Sequence, residues 1–168
     1  MKNTIRLKTI ISKQIPKSKS ILFDFFITFA RLECALKNTE RFLKPNKAEV
    51  NWDEYAKFLS GPFKVENSDE IKNAVNFILN APPRKQANNE GYLVWEEGIV
   101  DNNASLTYKL SIYIRRIRNN VLHGGKFNGD YNPESRNYKL INYSLIILNN
   151  WLELDKEVNT NFLSDINL

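Results

Sequence analysis

From residue 18 to residue 43, apolar side chains return with helical spacing over a stretch long enough to demand a bundle. Leu22, Phe25, Phe29, Leu32, Leu36 and Leu43 form a heptad-like stripe, widened by Phe26 and Ile27. Ser18 or Ser20 supplies an N-cap and Pro45 ends the helix, which is expected to run to about Leu43. A stripe this wide must be covered by several helices of the chain or by a second subunit. Its polar side carries Asp24, Thr28, Arg31, Glu33, Lys37, Glu40 and Arg41, with Glu33 and Lys37 as a stabilising i, i+4 pair.

A second stripe, Leu106, Leu110, Tyr113, Ile117 and Val121, predicts a helix that runs to His123, where Gly124-Gly125 stops it. At about 100° per residue, Arg115, Asn119 and His123 fall on the side away from this stripe, and Arg118 lies roughly 140° from His123. His123 is the only histidine, so the one side chain that titrates near neutral pH sits at a helix end among arginines and amides.

Between these helices the chain is irregular and acidic. Asn51 caps a short helix through Phe58 that buries Trp52, Tyr55 and Phe58 and ends at Gly61-Pro62. Ser68 caps another over Asp69 to Leu79. Residues 81–89 read as a loop, and Tyr92 to Trp95 as an apolar patch that is either helical or extended. After the loop 124–132, Asn132-Pro133-Glu134 marks a new helix start, with Ile141, Leu145, Leu148 and Leu152 facing inward. Three parts follow: a basic, weakly ordered segment 1–17, a helical domain 18–154, and a polar, fraying tail 155–168 in which Phe162 and Leu163 have the chance to dock.

Charge is segregated. Residues 1–20 hold Lys2, Arg6, Lys8, Lys13, Lys17 and Lys19 without an acid, and residues 102–129 hold Lys109, Arg115, Arg116, Arg118 and Lys126, again without one. Residues 49–101 carry ten acids against five bases. Such a division offers a polyanion a place to bind. The single Cys34 excludes an intrachain disulfide and, with no histidine or cysteine cluster, argues against zinc. Neither a signal peptide nor a membrane span is legible, and a cytoplasmic protein is expected.

The order Arg118-Asn119, then His123 after four residues from the arginine, closed by Gly124-Gly125-Lys126, resembles the HEPN family over about Ile112 to Phe127. These are helical-bundle proteins, many of them RNA-cutting toxins or antiviral defence nucleases. The resemblance implies an all-α, HEPN-like bundle of long antiparallel helices, with the acidic segment inserted between the first helix and the motif helix. It implies a homodimer whose shared cleft joins two copies of His123 and Arg118, and it leaves room for an antitoxin protein as partner. Phe29-Ala-Arg31-Leu-Glu33 also looks like first-helix segments of such proteins, which makes Arg31 and Glu33 candidates to support the site, with Asn120 close by.

The chemistry fits without metal or cofactor. RNA is cut when its own 2′-hydroxyl attacks the adjacent phosphorus, given a proton carrier and cations on the non-bridging oxygens. His123 suits the proton role and Arg118 the phosphate, while Asn119 either binds a phosphate oxygen or holds the ring's tautomer. Arg115, Arg116 and Lys126 are the expected RNA-backbone contacts. Two other classes stay open: a non-cleaving RNA- or nucleotide-binding module or nucleotidyltransferase partner of the same fold, and a helical scaffold. His123 as a simple C-terminal cap belongs to these.

Overall fold

A computed structural model of the chain describes residues 19–122 and 132–164. His123 and Lys126, and the loop that follows the motif helix, lie outside the described residues. Within them are six α-helices: α1 (Lys19–Lys37), α2 (Trp52–Leu59), α3 (Asp69–Asn80), α4 (Leu106–Leu122), α5 (Arg136–Glu153) and α6 (Lys156–Leu163). Two strands, β1 (Lys85–Asn89) and β2 (Tyr92–Glu96), form a hairpin between α3 and α4. The chain is thus mostly helical, with one small sheet in the segment expected to be irregular.

The apolar stripe of α1 is buried as its spacing requires. Leu22, Phe25, Phe29, Leu32 and Leu36 all enter the core, and α1 packs against α5 and α6. The helix stops six residues short of Leu43. Asn38 and Thr39 turn their side chains back onto the carbonyls of Cys34 and Ala35, at 3.0 and 2.9 Å, and Thr39 leaves the helical region. Polar side chains that bond local carbonyls compete with helix continuation. A 3₁₀ turn at Glu40–Phe42 then buries Phe42 in place of Leu43, which pairs with Val50 instead.

Trp151 of α5 sits at the centre of the core, meeting the rings of Tyr55 and Phe63 edge-on at 6.1 and 6.2 Å. Truncating an aromatic this well enclosed costs about 3–5 kcal/mol. The caps of α2 and α3 are those expected: Asn51 accepts from the Glu54 amide and Ser68 from the Glu70 amide. For α5 the cap is Ser135, not Asn132, so Pro133 and Glu134 lie in the turn before the helix. A serine hydroxyl that accepts from the Tyr138 amide satisfies an orphan donor, which the proline cannot do.

Two expectations are corrected here. Residues 81–89 are not all loop: β1 pairs with β2 antiparallel, Lys85 opposite Glu96 and Asn89 opposite Tyr92. The two-residue connection Glu90-Gly91 has positive φ at both positions, the twist a tight hairpin needs. The polar tail is not all frayed either. Asp155 caps α6, Val158 is fully buried, and Phe162 packs on the core. Arg41 pairs with Asp155, and Arg31 donates to the carbonyls of Phe162 and Ser164, so α6 is fastened to α1.

Candidate functional site

The motif helix α4 is held in register at both ends. Near its start, the Thr107 hydroxyl donates to the Ala56 carbonyl of α2 at 2.7 Å and meets the Ser60 hydroxyl at 2.7 Å. Near its other end, Arg116 donates to the carbonyls of Pro83 and Gly98, and Asn120 to that of Arg84 at 2.8 Å. These carbonyls flank the hairpin on both sides. A Cβ on Gly98 would run into the Arg116 guanidinium, so the close approach depends on glycine there.

Between the anchors lie Arg115 and Arg118, and both rest on aromatic rings. Phe29 of α1 and Trp52 of α2 stack with centroids 5.6 Å apart and planes 25° from parallel. The Arg118 guanidinium lies 4.8 Å from the Phe29 centroid and that of Arg115 5.3 Å from Trp52. Cations over such rings gain about 0.5–2 kcal/mol, the larger figure where water is excluded. Arg118 also meets the Glu33 carboxylate at 3.5 Å, with both side chains about three-quarters covered (23% and 29% exposed). Its Nε is buried without a partner, which leaves one donor of the fork unspent.

Burial, and then the neighbouring Arg118 charge, pull the Arg115 guanidinium below its ordinary pKa. Burial does the same to Arg116. Two cations brought this close are stable only where a carboxylate or a bound anion compensates them. Glu33 meets part of that need.

The candidates expected from sequence therefore separate. Arg115, Arg118 and Glu33 come together, and Asn119 is exposed on the same helix. Arg31 does not join them: it serves the α1–α6 junction. Arg116 and Asn120 spend their donors on backbone carbonyls, and Asn120 is only 7% exposed, so both act as fasteners of the hairpin. His123 and Lys126 are outside the described residues. Sequence reasoning missed Phe29 and Trp52 as a seat for the arginines and read both as ordinary core. Nothing local marks them, because the rings and cations come from three elements.

Two grooves flank Arg115. One opens toward α1 and α2 and mixes Lys37, Lys44 and Arg118 with Glu33, Glu49 and Asp53. The other lies between α4 and β1, lined by Lys85, Gln86, Arg115, Arg116 and Asn119 among others, with no carboxylate. Among the described residues, no group of three or more histidine, cysteine, aspartate or glutamate side chains is placed to hold a metal ion. Nor is any helix there long and apolar enough to cross a membrane. No family model matches the chain, and neither does any curated protein or solved structure.

Proposed function

We propose that the protein is a metal-independent endoribonuclease of toxin or defence type that works in the cytoplasm as a homodimer. The observation that carries this reading is the pair of guanidiniums on the Phe29–Trp52 stack, on the helix whose next residue in sequence is His123. Arg118 would neutralise the non-bridging oxygens of the scissile phosphate, with Glu33 and Phe29 holding its plane. His123 would carry the proton, and Asn119, one turn earlier, would bind the phosphate or orient the ring. The 2′-hydroxyl attacks phosphorus as the bond to the 5′-oxygen breaks, leaving a 2′,3′-cyclic phosphate and a 5′-hydroxyl.

One histidine per chain serves acid and base poorly, and a second copy would supply the other. The outer face of α1 supports this: Phe23 and Ile27, 64% and 44% exposed, continue through exposed Ala30 at helical spacing. The rest of the α1 stripe is already covered by α5 and α6, so this narrower strip is the surface for a second copy. Sedimentation of an active monomer at micromolar concentration would remove the dimer from the proposal.

One observation favours a second reading. The Glu33 carboxylate already compensates Arg118, as it would in an RNA- or nucleotide-binding module, or a partner of a nucleotidyltransferase-type antitoxin, that no longer cuts. Incubation with RNA in EDTA separates the two. The nuclease leaves cyclic phosphate ends and spares DNA, and His123→Ala silences it. Cleavage that vanishes with chelator, or a His123→Ala protein as active as its parent, would sink the proposal.

A further inference from the structure

The groove between β1 and α4 shares Arg115 and Asn119 with the site above but adds Lys85, Gln86 and Ile112 to them, and it is built rather than incidental. Arg116 and Asn120 clamp the residues on both sides of the hairpin to the helix, so its walls stand before any ligand arrives. Its volume is about 390 Å³, within the roughly 300–1,000 Å³ of small-molecule sites. Ile112 gives it an apolar floor, and no acid lines it. The Lys85–Glu96 pair, 3.5 Å apart across the hairpin and half exposed, restrains Lys85 only weakly. The side-chain amides of Gln86 and Asn119 have no hydrogen-bond partner among the described residues, although both line the groove.

Cations, an apolar floor and two unspent amides are the complement of one nucleotide. We propose that this groove seats a single nucleotide of unpaired RNA, its phosphate on Arg115 and Lys85 and its base edge on Gln86. The inference rests on the RNA-binding part of the function proposed above and adds substrate class and base preference to it. The strand is unpaired because side chains in a groove read a base edge only once the base leaves its stack. The base is adenine when its N7 edge is read, because on that edge adenine alone sets a donor (N6–H) beside an acceptor (N7), which an amide matches with two hydrogen bonds.

The test uses the full chain carrying His123→Ala, which binds RNA without consuming it. Fluorescence anisotropy compares a short uridine strand, the same strand with one central adenosine, and a duplex. The adenosine strand is expected to bind about tenfold more tightly than uridine alone, the discrimination of one good bidentate contact. Gln86→Ala should erase that difference, Lys85→Ala should weaken both single strands, and Lys72→Ala on exposed α3 should change neither. A preference that survives Gln86→Ala, or a duplex bound as tightly as the single strand, overturns the groove. If the parent cuts RNA while the groove variants bind unchanged, the groove falls and the nuclease stands. If the groove pattern holds but the parent never cuts, the groove stands and the nuclease falls. Absence of any RNA binding removes both.

Discussion

The two grooves beside Arg115 share one arginine and one helix, yet they differ in the sign of their surroundings. Toward α1 and α2, Glu33, Glu49 and Asp53 arrive from distant parts of the chain and offset Lys37, Lys44 and Arg118. Toward the hairpin, the acids of that segment stay out of the groove, and cations, amides and Ile112 line it. The acid-free run 102–129 is therefore uniform in sequence but not in space. A basic helix attracts a polyanion more strongly on the side where folding brings it fewer carboxylates.

The strongest way to break this contrast is to make one substitution on both sides. Arg118→Ala should lower RNA cleavage by about 10²–10³-fold, the size of a lost oxyanion donor. Arg116→Ala should instead cost stability of about 1–3 kcal/mol by orphaning the Pro83 and Gly98 carbonyls. Cleavage rates and thermal melts of both variants decide the matter, and equal rate losses would mean that the two arginines do the same work.

Asn120→Ala sharpens the hairpin side alone. It leaves the Arg84 carbonyl without its donor, and a drop of about 1 kcal/mol in unfolding free energy is expected in urea. An unchanged midpoint would show that the hairpin is not fastened there. A smaller effect belongs to salt. Arg115→Gln should flatten the slope of RNA affinity against log salt by about one unit, while Lys44→Gln, already paired with Glu49, should alter it less. Equal changes would mean that both grooves carry backbone.

The smallest expected effect is local. The Lys44 hydrogen bond and charge hold the exposed Glu49 carboxyl below the usual carboxylate range. A pKa depressed on folding favours the folded state above the unfolded value, and that contribution is lost as pH falls through the folded one. Titration by NMR should find the Glu49 pKa rising toward normal in Lys44→Ala, with little change in melting temperature. No shift would place Lys44 elsewhere in solution.

How much of this could be read beforehand depended on range. Leu22 to Leu36 and Leu110 to Ile117 declare their buried faces through periodicity, which is a local signal, and Asn51 and Ser68 announce their caps for the same reason. Apolar spacing overruns the end of α1 because Asn38 and Thr39 bond back to carbonyls, and such spacing takes no account of hydroxyls and amides. The extended option for Tyr92 to Trp95 holds, but its partner strand is hidden in sequence because Lys85-Gln-Ala-Asn-Asn89 lacks strand formers and Glu90-Gly91 is a weaker turn signal than Asn-Gly. The tail hid α6 because its fully enclosed apolar residue is Val158 alone. The motif pointed to α4, but the seat beneath its arginines did not show in sequence. Glu33, Trp52 and Arg118 meet only through packing.

The fastening of α6 to α1 has a consequence in time. Arg31 bonds a carbonyl 131 positions later, and Arg41 pairs with a carboxylate 114 positions later. A ribosome adds about 5–20 residues each second, so the face of α1 that packs on α6 waits several seconds for its cover. Loop closure across such a span is entropically slow to reward. Until α5 and α6 are made, α1 lacks the two helices that cover its apolar face. During that interval the chain is most exposed to chaperones, proteases and its own neighbours on the polysome.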